Sequence, residues 1–512
     1  MPPEPEDNLR RNKPRRSRAG SLELRALVLC LACLFSLPAL AQNEPPARAM
    51  ELQAKAFAAM DRGKYDEAEK LMREQLALDQ DNFVIYYNLA CVRALMKDGP
   101  GSAGLLTDAI NQGFCDLYQL KRDPQLSLTR DQPAIKKLID VWPAVLDQRL
   151  EDNLQRSKLI FTGKPKPYEL TRDDRTRLAY LSAMDGKSTE QARADISRLY
   201  DWGIANVFPD LGDTEKAKLD AWCVVILPTP KDFIRWAVAS FGPGAVTGMS
   251  GIGGSYTHDN KRLVAQDLGA TLRHEFFHVL HWRSTVRLGQ EHPIWIQEGL
   301  CSLVEDYESG PDGELKPVPS WRTNISKRLA GNGKLLPIKQ LASILRERFT
   351  SSSPLGNYGQ ARTVFLYLFD KGKLKDWYAA YTTGYRSDHT GVKAIEEVMG
   401  KPIADVDKEY RAWVRGLPMV AEQIKPGKAS LGAEVDPGSG DGPVIAEVDR
   451  NGPARKAGLK VGDVITAIDG SPTRDLNELI RLLGERDVGD QVEVSYRRGG
   501  NHGTAKLSLV RR

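Results

Sequence analysis

The chain has 512 residues, of which 41% are hydrophobic and 27% are charged, the composition of an ordinary globular protein. This length predicts about three or four domains. The first 41 residues carry seven basic and four acidic groups, so they hold +3 of the formal net charge of +5. The remaining +2 gives no basis for a nucleic-acid partner.

Residues 1–41 are predicted to be a signal peptide. A basic stretch, Arg10–Arg18, precedes the apolar segment Ala26–Leu37, and small residues in Ala39-Leu40-Ala41 form a cleavage site before Gln42. The apolar segment is short for a membrane span, although an uncleaved anchor remains the alternative. We therefore expect export to the periplasm, the cell surface or the extracellular space.

Residues 45–148 are predicted to be helical, with an internal repeat. Gly63–Ala68 followed by Ala77-Leu78-Asp79 resembles the turn and second helix of a tetratricopeptide unit, and Ser102-Ala103 matches Glu67-Ala68 thirty-five residues later. Two units are fewer than a stable solenoid needs, so helices between Gly113 and Val141 must cap them. The region either binds a protein partner in a groove or is a helical spacer packed on the rest of the chain.

The most informative motif is His274-Glu275-Phe276-Phe277-His278, inside the predicted buried helix Ala270–Trp282. Positions four residues apart lie on one helix face, so both imidazoles can reach one zinc ion. Glu275 beside them is the candidate general base. A catalytic zinc needs a third protein ligand, and Glu298, on the next predicted helix, is the candidate.

The HExxH motif followed by a glutamate in Trp295–Leu300 resembles the gluzincin metallopeptidases over roughly residues 170–420. The resemblance implies a thermolysin-like zincin domain, a small sheet plus helices, here placed at residues 151–422. It implies one Zn²⁺ ion and hydrolysis of a peptide or an unfolded protein. Gluzincins pair extended substrate with an edge strand before the zinc helix, for which Gly248–Tyr256 and Arg262–Gln266 are candidates.

Two supporting roles in this domain have more than one candidate or none. Tyr358, where a helix is expected to start, is the candidate donor to the oxyanion, with Tyr385 and His389 as rivals. Thermolysin-like enzymes carry an acid four residues after the glutamate ligand. This chain has a serine there and Glu305 one turn later, so the residue that orients His274 stays open.

Three further histidines lie in the same stretch. His281 shares a helix face with His274 but lies about 10 Å further along the axis, too far to share one ion, so we expect it to be a polar end to the helix. His258 either lines the cleft or occupies a loop. His292 precedes Pro293 and is expected only to shape the loop to the next helix.

Residues 428–512 resemble a PDZ domain of the bacterial protease type, a β-barrel-like fold. The match is strongest over Asn451–Gly470. The resemblance implies that Leu431, Gly432 and Ala433 form the loop whose N–H groups bind a peptide carboxylate, and that Asp475–Gly484 is the helix across the groove. The expected partners are protein C-termini, unless the domain is docked with an occluded groove.

The sequence therefore predicts a multidomain α+β protein, an exported zinc metallopeptidase with helical repeats before it and a PDZ domain after it. One alternative is a vestigial enzyme that serves as a scaffold. Another is a glycyl-aminopeptidase-like exopeptidase, whose zinc helix resembles His274–Ser284. Gly248-Met249 resembles the start of the aminopeptidase motif GxMEN but lacks its glutamate, which favours an endopeptidase.

Overall fold

The computed structural model describes residues 46–163, 167–246, 252–310, 314–438 and 440–512. The predicted signal peptide, residues 1–41, and the Gly248-Met249 motif lie outside the described residues. The protein is a multidomain α+β structure, as expected. None of the described helices is both long and apolar enough to cross a lipid bilayer.

The N-terminal region is helical. Apolar residues of its first three helices, among them Ala56, Met72 and Leu89, form one small core. The last helix is continuous across the boundary predicted between residues 148 and 151, and the assignment to a repeat family stays a prediction. The helices are α1 Pro46–Asp61, α2 Tyr65–Leu78, α3 Phe83–Leu95, α4 Gly99–Gln112, α5 Leu117–Arg122, α6 Ser127–Arg130, α7 Pro133–Asp140 and α8 Trp142–Ile160.

A five-stranded sheet opens the central domain. Its strands are β1 Glu169–Asp173, β2 Leu178–Ser182, β3 Cys223–Leu227, β4 Gly254–Thr257 and β5 Arg262–Ala265, in the order β1-β2-β3-β5-β4. The central strands β2, β3 and β5 are parallel, whereas the outer strands β1 and β4 run antiparallel to their neighbours. Every residue of β2 and β3 is buried, which is typical of parallel strands covered on both faces.

The two faces of this sheet belong to two different cores. Tyr180, Val225 and Leu263 pack with the helices of the central domain. Val224 and Ile226 point the other way and pack with α8 and its neighbours, because successive side chains alternate across a strand. The N-terminal helices therefore cover one face of the sheet.

The rest of the central domain is mainly helical. Its helices are α9 Gly186–Asn206, α10 Thr214–Ala217, α11 Pro230–Phe241, α12 Ala270–Leu288, α13 Ile294–Leu303, α14 Trp321–Gly331, α15 Ile338–Ala342, α16 Arg346–Ser351, α17 Pro354–Asp370, α18 Leu374–Gly384, α19 Val392–Met399 and α20 Ile403–Gly416, with a small hairpin of β6 Tyr307–Ser309 and β7 Leu315–Pro317. Helix α12 continues six residues beyond the predicted Trp282 and ends at Gly289, whose φ of 68° provides a left-handed cap.

The C-terminal domain has its own sheet and core. The strands are β8 Ala429–Ser430, β9 Ala433–Asp436, β10 Val444–Val448, β11 Val464–Ile468, β12 Ser471–Pro472, β13 Gln491–Arg498, β14 Asn501–Ser508 and β15 Val510–Arg511, and the helices are α21 Pro453–Lys456 and α22 Leu476–Gly484. The main sheet has the order β14-β13-β11-β10-β9, so β9 is an edge strand. Leu479 and Leu483 of α22 are fully buried in the core against this sheet.

The C-terminal domain is docked on the central domain. Gly440 donates its N–H to the carbonyl of Gln266 at 2.7 Å and accepts the N–H of Leu268 at 3.0 Å. Ser188 donates to the carboxylate of Asp441 at 2.7 Å, and Arg481 pairs with Glu308 at 3.2 Å. These contacts place the C-terminal domain directly before the first turn of α12.

Candidate metal centre and peptide groove

His274 and His278 on α12 and Glu298 on α13 converge on one point. Their nearest nitrogen and oxygen atoms all lie within 4.8 Å of one another. Oε2 of Glu298 is 3.3 Å from Nε2 of His274 and 3.6 Å from Nε2 of His278. Ligand bonds of about 2.0–2.2 Å in a tetrahedral zinc site place donor atoms about 3.4 Å apart. The three residues therefore fit a zinc ion with only a small adjustment.

The packing of α13 explains why these helices can approach. Glu298 is followed by Gly299, and a Cβ at Gly299 would lie 2.6 Å from the ring of Phe365 on α17. Only a glycine lets α13 lie this close to α17. On α12, Phe276 and Phe277 are fully buried and fix the helix against the sheet, which leaves the two histidines facing α13.

The pKa values of His274 and Glu298 depend strongly on one another. Burial disfavours the charged form of His274, yet the hydrogen bonds that it donates to Glu298 and Glu305 raise its pKa to about 10. Burial also opposes ionisation of Glu298, but His278 and His274 hold the pKa of this carboxylate well below its usual range. Without a metal, the ionised carboxylate of Glu298 therefore faces a protonated His274, and a cation would bind in place of that proton.

Glu275 faces the edge of the sheet. Its Oε2 accepts the backbone N–H of Tyr256 on the edge strand β4 at 2.7 Å. Burial raises the pKa of this carboxyl group, against the opposing effect of the two histidines. A carboxylate with a raised pKa beside a metal site is suited to accept and return a proton.

Glu305 lies against His274. From the sequence alone, only its position near the ligands was known, and the residue that orients His274 was left open. Oε1 of Glu305 is 2.9 Å from Nδ1 of His274. A carboxylate can only accept, so Nδ1 donates and Nε2 is left to face Glu298. Arg322, which sequence reasoning missed, holds the same carboxylate in a fork at 2.5 and 2.8 Å. Although burial opposes ionisation, Arg322 and His274 lower the pKa of Glu305 to about 2.

Tyr358 lies in the second turn of α17, since the helix starts at Pro354 rather than at the tyrosine as expected. Its ring packs against Phe349, and the guanidinium of Arg322 lies 5.6 Å from the ring centroid. Burial raises the pKa of Tyr358, and the nearby carboxylates of Glu298 and Glu275 raise it further. The hydroxyl therefore stays protonated, and the charges of the two carboxylates contribute to its raised pKa.

The two rivals of Tyr358 have structural contacts elsewhere. The hydroxyl of Tyr385 donates to the carbonyl of Glu291 at 2.7 Å and accepts its N–H at 2.9 Å. His389 packs edge-on against Tyr385, with ring centroids 4.4 Å apart. Both residues support the loop between α12 and α13 rather than the ligand cluster.

His281 and His292 are buried, whereas His258 is partly exposed. The prediction for His281 was wrong: it does not end the helix, because α12 extends to Leu288. His292 lies in the loop between α12 and α13, as expected, and its ring also forms a 2.7 Å hydrogen bond with the ring of His281. His258 lies in the turn between β4 and β5, where it stacks on Trp282 at 4.2 Å and contacts Lys261. None of the three belongs to the ligand cluster.

The predicted carboxylate-binding loop joins β8 to β9. Leu431 is buried, and Gly432 has a φ of 69°, which favours glycine. The N–H of Gly432 donates to Oγ of Ser430 at 3.1 Å, so one of the three amides already has a partner. Ala433 begins the edge strand β9, which shares a hydrophobic core with α22. The peptide groove is expected between these two elements.

Comparisons with known proteins concern the C-terminal domain. The family model described as PDZ domain matches residues 429–509. The chain is 44% identical over 69 residues to the serine protease Do-like HtrA of Lactobacillus helveticus, covering 14% of this chain and 17% of the relative. It is 37% identical over 68 residues to a probable periplasmic serine endoprotease DegP-like of Halomonas elongata, covering 13% and 14%.

Among solved structures, a PDZ domain of HtrA3 bound to a phage-derived ligand is 21% identical, with a TM-score of 0.15, and the match covers 16% of this chain and 85% of that one. The chain thus spans less than a fifth of the length of the two curated relatives. What the family match establishes is that residues 429–509 form a PDZ domain.

Proposed function

We propose that the chain is an exported zinc-dependent metallopeptidase of the gluzincin type, whose PDZ domain binds peptide C-termini. The observation that carries the proposal is the convergence of His274, His278 and Glu298 at separations that suit one zinc ion. The layer of helices and the five-stranded sheet around α12 support a thermolysin-like zincin domain. That both curated relatives are proteases, one of them described as periplasmic, supports export and a role in proteolysis.

The residues of the site divide the chemistry among them. A zinc ion held by the three ligands would supply Lewis acidity and lower the pKa of a bound water. Glu275 would act as the general base, taking up a proton at its carboxylate and returning it to the leaving amine. Tyr358 donates its hydroxyl hydrogen bond to the oxygen of the scissile carbonyl as negative charge develops there. Glu305 keeps His274 in the tautomer that binds metal.

The substrate would be an extended segment of a peptide or an unfolded protein. The edge strand β4 lies beside Glu275, and a peptide added to this edge would place its backbone next to the ligands. Such binding uses backbone hydrogen bonds and requires little sequence preference. The N-terminal helices pack on the opposite face of the sheet, which favours a spacer over a partner-binding groove for this region.

Two other functions remain as alternatives. In a scaffold with an inactive site, Glu275 would serve no purpose, yet it is present and held in place. A glycyl-aminopeptidase-like exopeptidase would need a free substrate amino group. Peptides with acetylated N-termini distinguish the two activities, because only an endopeptidase cleaves them.

The decisive experiment compares four exported proteins: wild type, Glu275→Gln, Glu298→Ala and the exposed control Glu291→Gln. Zinc per chain and hydrolysis of an unstructured protein are measured on each. We expect Glu275→Gln to keep zinc and lose about 100-fold or more in rate, and Glu298→Ala to lose the metal. A zinc-binding wild type no faster than Glu275→Gln would favour the scaffold, and a wild type without zinc would refute the ligand assignment.

A further inference from the structure

Arg273, the residue before the ligand His274, is a fully buried arginine on α12. Its Nη2 lies 2.9 Å from Oε1 of Glu478, and its Nε donates to the carbonyl of Glu305 at 3.1 Å. Its guanidinium also lies over the ring of Tyr307 at 5.0 Å. A buried cation needs such partners because an unpaired charge in the interior is very costly.

In the described part of the chain, two of the three acids that face Arg273 belong to the PDZ domain, and the third is the buried Asp195 of α9, 3.7 Å from Nη1 of Arg273. Glu478 lies in the first turn of α22, and Asp475 is the N-cap of the same helix. Asp475 accepts the N–H of Glu478 at 3.0 Å with one oxygen and the N–H of Ala270 at 3.0 Å with the other. One carboxylate of the PDZ domain therefore caps the first turns of both α22 and α12.

This contact continues to the ligand. Arg273 holds the backbone carbonyl of Glu305, while Arg322 holds the Glu305 carboxylate that contacts Nδ1 of His274. Glu305 is thus fixed at two points. One of them depends on Arg273, whose charge Glu478 balances at the shortest distance, together with the other two acids. The path from Glu478 to His274 consists of direct contacts between neighbouring groups.

We propose that the PDZ domain is a structural part of the metal centre, with Arg273 as a positioning residue that Glu478 holds in place. The inference rests on the proposed function and adds to it. In a PDZ domain the helix that corresponds to α22 is expected to form one wall of the peptide groove, so the element that would contact a bound C-terminus is the element that contacts the ligand helix. A displacement of α22 would act on Glu305 and, through it, on His274.

The test uses the full exported chain and the variant Glu478→Gln, which keeps the shape of the side chain and removes its charge. The control is Glu485→Gln, at the exposed end of the same helix. We expect the zinc dissociation constant, measured by chelator competition, to rise by about tenfold in Glu478→Gln. The turnover number kcat should fall while KM stays the same, and the control should match wild type.

A third variant, Glu478→Asp, keeps the charge at shorter reach and should recover part of the zinc affinity, which a purely structural role would not predict. If Glu478→Gln fails to fold, the zinc affinity and kcat of Glu478→Asp, compared with wild type, test the inference instead. Zinc affinity and kcat equal to wild type in the folded variants would overturn the inference, even if the thermal midpoint falls. Loss of zinc in wild type itself would instead overturn the proposed function.

Discussion

Replacing Glu305 with glutamine tests whether this carboxylate orients the ligand His274. Its pKa is lowered from 4.5 to about 2, a shift that corresponds to about 3 kcal/mol of preference for the charged form. The side chain of Glu305 is 5% exposed, so solvent screens little of this electrostatic preference. In the metal-free protein we therefore expect Glu305→Gln to lower the free energy of unfolding by about 3 kcal/mol at neutral pH.

The sign of the pH dependence follows from the lowered pKa. The stabilisation is present above the ordinary pKa of 4.5 and is lost as the pH falls towards about 2. The free energies of unfolding of wild type and variant, measured in urea, should therefore differ at pH 7. They should converge as the pH approaches the folded-state pKa of Glu305. Since the amide oxygen can still accept from Nδ1, we expect a loss of zinc affinity near the lower end of the 10–100-fold range.

The matched control is Glu291→Gln, an exposed glutamate between α12 and α13. It should leave both the free energy of unfolding and the zinc affinity unchanged. A Glu305→Gln protein that binds zinc as tightly as wild type would refute the orienting role. A difference in stability that persists unchanged to pH 2 would refute the electrostatic origin of the effect.

Three further predictions follow from the site and the packing around it. Zinc must displace the proton of His274, whose pKa is about 10 in the metal-free protein, so chelator competition should show affinity rising with pH, by about tenfold per pH unit around neutrality. Gly299→Ala should lower the free energy of unfolding in urea by about 1–3 kcal/mol, because its Cβ would meet Phe365, whereas Gly331→Ala, with open space around it, should not. Peptides with a free hydrophobic C-terminus should bind with micromolar affinity, about −8 kcal/mol, and amidated peptides more weakly; equal affinities in calorimetry would exclude a carboxylate-binding loop.

Local patterns in the sequence anticipated much of the candidate site. The four-residue spacing of His274 and His278 was sufficient to predict that these two side chains share a helix face, and the resemblance to the gluzincins supported Glu298 as the third ligand. The PDZ domain was predicted from its resemblance to the PDZ domains of bacterial proteases, and the family match confirms it. The roles of the ligands and of Glu275 stay predictions until zinc and activity are measured.

Contacts between distant parts of the chain were not predicted. Arg273 and Glu478 are 205 residues apart, and no local pattern shows which buried arginine meets which acid. The end of α12 was misplaced because His281 is polar, yet it is buried against His292 in the core. A charged residue inside an apolar helix does signal that a partner exists, and Arg273 could have been singled out on that basis.

The sheet with a hydrophobic core on each face limits how the proposed peptidase could be activated. Removal of the N-terminal helices would expose the apolar side chains of Val224 and Ile226 and would also withdraw Arg122, which donates to the carbonyls of Val286 and Arg287 at the end of α12. The trimmed protein would carry a large exposed apolar surface, a condition that promotes aggregation. These helices therefore differ from a propeptide that is cleaved to open an active site, and control of the proposed proteolysis would act with these helices in place.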